Sequence, residues 1–408
     1  MKAILLNRLF VCTCLSRLSL KNLDVIIYWL MEKIFLFIFL YSFSIFAQNS
    51  NFDSRVNDGI KQIYNIKFTE AERSFRSLIA DYPNHPSGRF FLAMIDWWKI
   101  LLDPDNEDYD EIFFLKLEDV IYQCDQLLDK NPNDVDALFF KGGSIGFRGR
   151  LRAFRESWLK AADDGREALP IVEEAASLDP DNMDVLLGFG IYNYYADVIP
   201  NEFPLIKPLM IFFPNGDKGK GIEQLTNTAI KGKFAKYEAR YFLMTLYYRY
   251  ENNSLKADEY AAMLLNDFPD NPVFQRWKGR IAFRMGNQLL ADSLFKNILQ
   301  KSESKYPGYS SHAALREASY YIGYNYKNYN QLDSAKVYFE KCIEESRKID
   351  IDEESGFQVN AILYLAQIAE ALKHKGEAIK LYEDLLEMRD YGNSHSTAEN
   401  SLKNLKGE

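Results

Sequence analysis

The sequence predicts an all-α protein: an α-solenoid of about eight stacked helix hairpins, with enlarged units and a proline-rich insertion in the middle. Three observations carry that reading. Thr245 is followed by Ala257, Ala261, Leu264 and Pro269, and Gly279 by Ala291, Phe295 and Ile298, so one small-then-large pattern occurs twice, 34 residues apart. That offset is the period of a helix-turn-helix repeat. The same spacing recurs at Gly59/Ala71/Phe75/Leu78/Pro83, at Gly323/Ala335/Phe339/Cys342 and at Ala366/Ala378/Tyr382/Leu385. Finally, 47% of the 408 residues are hydrophobic and 15% aromatic, enough for a continuous core at about 1.5–3 kcal/mol per large buried side chain.

The spacing has a steric basis. A small residue in the middle of the first helix lets the second cross closely, and a small residue near the start of that second helix completes the contact. Large apolar residues four and seven positions on fill the space between hairpins. Proline stops several second helices, because it has no N–H for the i to i−4 ladder. Any amphipathic bundle mixes small and large residues, but recurrence at fixed offsets points to a repeat.

Charge and reactive residues narrow the function. The formal net charge is −9; over residues 48–408 there are 44 Lys and Arg against 56 Asp and Glu, or −12. Such a surface repels nucleic acid and anionic lipid. Cys12, Cys14, Cys124 and Cys342 are too scattered for a disulfide framework, and His85, His312, His374 and His395 have no mutual spacing suited to a metal. Neither metal, haem nor another cofactor is expected.

Along the chain, residues 31–48 read as a secretory signal. Lys33 supplies the positive end, Ile34 to Ile45 the apolar run, and Ala47 the small residue before Gln48. Met31 is a second initiator, so residues 1–30 read as an extension and 1–47 as extension plus signal. The alternative is an uncleaved anchor over Val25 to Ala47, although the apolar run is shorter than the about 20 residues a span needs. The expected location is periplasmic or secreted, with membrane anchoring as the alternative. The array then divides into 52–232, with enlarged units, and 233–390, with regular ones; 391–408 is a polar tail or capping helix. In the second unit the Ala93 to Val120 offset is 27, and in the third the Gly142 to Ala168 offset is 26, in place of 12. Two neighbouring enlargements predict lengthened helices. Val198 to Phe213, with Pro200, Pro204 and Pro208, is a stretch no single regular helix accommodates.

Candidate chemistry is sparse. Gly142-Gly143-Ser144-Ile145-Gly146 spells a hydrolase nucleophile elbow, but that elbow needs a strand before it, and Val135 to Lys141 has helical spacing; close packing explains the glycines better. Gly188 and Gly190 lack the strand and acidic partner of a dinucleotide loop. Gly216-Asp217-Lys218-Gly219-Lys220-Gly221 precedes a helix start, where amides and lysines are suited to an anion, or it is simply a glycine-rich lead into a helix. Arg148, Arg152 and Arg155 share a helical face with a carboxylate or acidic peptide as a candidate ligand, against an intramolecularly paired face as the default. Tyr192 and Tyr195, among many tyrosines on first helices, are candidate partner contacts. The residues singled out for a partner are thus Arg148, Arg152, Arg155, Tyr192, Tyr195, Asp217 and Lys218.

From Phe52 to Arg389 these patterns resemble the tetratricopeptide-repeat (TPR) class. Within it, Gly188-x-Gly-x-Tyr-Asn, Ile199-Pro200 and Gly216-Asp217-Lys218-x-x-Gly221 are similar to the central region of the eukaryotic inclusion-body-clearance repeat family. The signal-like start and Phe46-Ala47-Gln48 resemble exported proteins of the Bacteroidetes. The class implies a scaffold that binds a protein or peptide on its concave surface, without catalytic residues; the enlarged second to fourth units depart from its period. Two alternatives stand beside it: a module for a small or lipid-like ligand beneath 198–213, and an enzyme with its site in the central Gly/Tyr block.

Overall fold

The computed structural model describes residues 51–202 and 214–407. The signal or anchor read at 1–47 and most of the proline-rich segment lie outside the described residues. From Val56 onward the chain forms one compact unit, and its described residues contain helices and no strand.

The helices pair as α1 (51–64) with α2 (Phe68–Asp81), α3 (Ser87–Leu102) with α4 (Asp110–Leu128), α5 (Val135–Phe154) with α6 (Trp158–Leu178), and α7 (Leu186–Glu202) with α8 (Lys218–Lys231). Then come α9 (Lys236–Arg249) with α10 (Ser254–Asp267), α11 (Pro272–Arg284) with α12 (Gln288–Glu303), α13 (His312–Asn328) with α14 (Leu332–Ser346), and α15 (Gly356–Ala371) with α16 (Lys375–Leu386). A last helix, α17 (Ser394–Lys406), packs on α16. The eight expected hairpins are present.

The repeat spacing has the physical meaning assigned to it. A Cβ on Gly59 would lie 2.4 Å from Phe75 Cζ, one on Gly279 2.7 Å from Phe295 Cζ, and one on Gly323 3.0 Å from Phe339 Cδ1. In each hairpin the missing side chain of the first helix is the seat for a ring of the second. Phe75, Phe295, Phe339 and Tyr382 are fully buried beside Ala71, Ala291, Ala335 and Ala378. The turns recur as well: Asn252, Gly286, Asn330 and Lys373 all have positive φ, and each is followed by the N-cap residue of the next helix.

The enlargements are helical in the third unit, where α5 has 20 residues and α6 has 21. In the second unit α4 lengthens to 19 residues and the loop 103–109 takes up the rest. At Val198, the expected start of the irregular segment, the chain is still helical. α7 runs to Glu202 and holds Pro200 in its last turn, where a missing N–H interrupts little remaining helix.

One contact departs from the ordinary solenoid pattern. A solenoid unit ordinarily touches its neighbours alone, but here α3 also contacts α11. The Tyr64 ring lies 4.6 Å from Trp98, 5.3 Å from Tyr237 and 5.1 Å from Phe268, while Asn271 Nδ2 donates to the Tyr64 carbonyl at 2.8 Å. Arg150 of α5 sits between the rings of Trp97 (4.5 Å) and Phe242 (4.4 Å). It is ion-paired to Glu238 of α9, which also accepts from the Tyr64 hydroxyl at 3.2 Å. Side chains of the first, second, third and fifth hairpins are thus packed directly against one another.

Candidate functional site

The three arginines predicted to meet an acidic partner do converge. With Phe114, Glu118, Ser157 and Lys160, they line a cleft of about 380 Å³ between α4, α5 and α6. Their charge, however, is already matched. Arg148 donates to Asp164 Oδ1 (2.9 Å), Glu118 Oε1 (2.6 Å) and Glu167 Oε2 (2.8 Å). Arg152 donates to the same Asp164 oxygen at 2.6 Å, and Arg155 grips Asp110 with two nitrogens and the Pro104 carbonyl with a third. Burial pushes the Asp164 carboxyl up from its usual range against the pull of Arg148 and Arg152. This cleft is an ion-pair network tying α4, α5 and α6 together, with little positive charge left over.

The second predicted group gathers where α7 meets α8, and is likewise used internally. Asp217 caps α8 by accepting from Lys220 N at 2.9 Å, and Lys218 donates its amide to Asp197 Oδ2 and its ammonium to Glu251 Oε2, both at 3.0 Å. The amides suited to an anion therefore face the chain's own carboxylates. Tyr192 donates to the Pro214 carbonyl. Tyr195 packs edge-on to Tyr250 (5.8 Å) and Phe242 (6.3 Å). The glycines serve close approach: a Cβ on Gly221 would lie 2.6 Å from Tyr194 N, and one on Gly190 2.7 Å from Leu225 Cγ. Ser144 is buried within helix α5, without the strand a nucleophile elbow needs. Among the described residues no group of three His, Cys, Asp or Glu side chains is placed to hold a metal. Cys124 and Cys342 are buried thiols whose pKa burial pushes up to about 12.

The surface that remains chemically unsatisfied is elsewhere, on the first helices of the last four hairpins. Arg249 of α9 stacks over Trp277 of α11 at 5.3 Å. Arg284 of α11 lies 3.4 Å from the Tyr248 ring centre and donates to the Tyr248 carbonyl. Phe283 meets Tyr324 of α13 at 5.2 Å, Tyr324 meets Tyr364 of α15 at 5.6 Å, and Lys327 stands 4.9 Å over Tyr364. Beneath this strip Glu317 is held by Arg276 Nε at 2.8 Å and Arg280 Nη2 at 2.6 Å. Arg249 and Arg284 are exposed, and burial lowers the Lys327 ammonium below its ordinary value.

Sequence reasoning passed over Arg249, Arg284 and Lys327 because they lie on three different hairpins. The repeat itself contained the signal. Arg249 and Lys327 stand in one register, four positions after the small residues Thr245 and Gly323, and Arg284 stands one position further round, five after Gly279.

Residues 317–347, most of α13 and all of α14, match the family model described as tetratricopeptide repeat. The chain carries a tetratricopeptide repeat. No curated protein matches the sequence. Among solved structures, the Cut9–Hcn1 hetero-tetramer of the APC/C is similar at 16% identity and a TM-score of 0.45, over 82% of this chain and 59% of that one. The C-terminal part of a TPR protein from Cytophaga hutchinsonii is similar at 17% identity and a TM-score of 0.36, over 75% and 98%. A tetratricopeptide repeat protein from Parabacteroides merdae follows at 14% and 0.36, over 76% and 98%. These are likenesses of helical architecture and say nothing of what this chain binds.

Proposed function

We propose that the chain is a non-enzymatic, exported TPR scaffold that holds a protein or peptide partner, in association with the cell envelope, on the inner face of its last four hairpins. The observation that carries the reading is the strip from Arg249 to Tyr364, where exposed guanidinium groups and a half-buried ammonium rest on buried and half-buried aromatic rings. On the first, third and fifth hairpins, Tyr64, Arg150 and Glu238 are instead engaged with one another. Rigid aromatic anchors beside arginine are the side chains that carry binding energy at protein interfaces. Tyr192, Tyr194, Asp217 and Lys218 of the central Gly/Tyr block are held by partners within the chain, and Ser144 is buried inside a helix, which speaks against an enzyme there.

The test is a photo-crosslinking residue placed at Tyr324, and in parallel at Leu289, an exposed position on α12, in cells producing the full chain. A partner captured from Tyr324 and absent from Leu289 supports the inner face. Capture from Leu289 alone sinks it. Export is checked separately by fractionation and N-terminal sequencing, with Gln48 the expected first residue.

A further inference from the structure

We infer that the segment held on this strip is acidic: an extended stretch of polypeptide with carboxylates at intervals and apolar side chains between them. The inference rests on the scaffold reading and adds the partner's chemistry.

Charge is unevenly matched within the molecule. The chain is acidic overall, and most of its well-placed cations have a carboxylate of their own: Arg155 with Asp110, Arg240 with Asp267, Lys278 with Asp258, Arg316 with Asp350. Arg249, Arg284 and Lys327 have none within ion-pair distance among the described residues. Together with Arg276 and Arg280, the strip gathers five cations around one carboxylate, Glu317. A concentration of unmatched positive charge on an acidic protein favours an acidic partner by complementarity.

Each of the three heads is already held over a ring, so less side-chain freedom is lost when a ligand docks. Arg284 uses one nitrogen on the Tyr248 carbonyl, and a guanidinium has five donors.

The three cations come one from each of three successive first helices. Packed helices lie about 8–10 Å apart, and an extended chain advances about 3.3 Å per residue. A carboxylate at every third residue therefore keeps pace with the hairpins, with Trp277, Phe283 and Tyr324 beneath the intervening side chains. Single-stranded nucleic acid also seeks cations and rings, but its affinity grows with many phosphate contacts and is opposed by the acidic body.

The experiment measures fluorescence anisotropy of a fluorescein-labelled peptide with Glu at every third position and Leu or Tyr between. A Gln-for-Glu version and a single-stranded oligonucleotide of equal charge are the comparisons. Wild type should bind the Glu peptide at least about tenfold more tightly than the Gln peptide, and the gap should narrow with salt. Arg249→Gln/Arg284→Gln/Lys327→Gln should abolish the preference, while Lys130→Gln, an exposed cation on another hairpin, leaves it unchanged; circular dichroism confirms that each variant is folded. Equal binding of both peptides, weakened by Tyr324→Ala, overturns the acidic inference and leaves the scaffold reading standing. Binding of neither overturns both. Tighter binding of the oligonucleotide replaces the peptide with nucleic acid.

Discussion

Replacing Glu317 with Gln keeps the side chain's shape and removes its charge. Glu317 is wholly buried, with Arg276 and Arg280 12% and 21% exposed on either side. Three charge-assisted hydrogen bonds lose their anionic acceptor, and two guanidinium groups lose their counter-charge. Breaking one partner out of a buried ion pair costs about 3–5 kcal/mol, and because water still reaches both arginines the lower end, about 3 kcal/mol, is expected here. The sign of the pH dependence follows. Burial by itself pushes the Glu317 carboxyl up, but Arg280 and Arg276 outweigh it and hold it below its ordinary value. A depressed pKa means the stabilisation is complete above the unfolded-state value of about 4.3, and is lost as pH falls through the folded-state value. Urea unfolding followed by circular dichroism at neutral pH, repeated into the acid range, measures both; hydrogen exchange should place the loosening in α11 and α13. The gap between wild type and Glu317→Gln should shrink at acid pH. Arg276→Met/Arg280→Met/Glu317→Leu, which removes the charges together, should be far less damaging than Glu317→Gln. A loss below about 1 kcal/mol for Glu317→Gln, or a gap that does not close in acid, would refute the reasoning.

Four further substitutions probe the packing by the same unfolding measurement. Gly279→Ala puts a methyl 2.7 Å from the Phe295 ring and should cost about 1–3 kcal/mol; Gly376→Ala meets nothing within 4 Å and should be neutral or stabilising by up to about 1 kcal/mol. Asn271→Ala removes the acceptor for Val273 N and Phe274 N as well as the donor to Tyr64 O; a loss of about 1–3 kcal/mol should come with faster hydrogen exchange in α1. Arg150→Met leaves the Glu238 carboxylate without its cation and should cost about 3 kcal/mol, with Tyr237 and Phe268 losing protection in step.

The hairpins were legible because their spacing is a steric requirement between residues close in sequence. Gly279 and Phe295 belong to one hairpin, and only a residue without a side chain admits that ring. The cation sites were not legible in the same way. Arg148, Arg152 and Arg155 form a local pattern and drew attention, but whether such a face is free depends on carboxylates brought from other helices, Glu118 and Asp110 from α4, Asp164 and Glu167 from α6. Arg249, Arg284 and Lys327 form no local pattern, and their common side exists only once hairpins stack. The contact of Tyr64 with Phe268 and Asn271 is harder still, since it depends on how far successive hairpins rotate and no local spacing encodes that.

That contact also fixes a number. In most repeat proteins a unit can be gained or dropped and the ends simply move apart or together. Here the first hairpin buckles onto the fifth and sixth, with Tyr64 seated among Trp98, Tyr237 and Phe268, so adding or deleting a unit between them would carry the clasp out of reach. The array behaves as a closed loop with a tail of later hairpins, and change in its length is tolerable in the tail rather than in the loop.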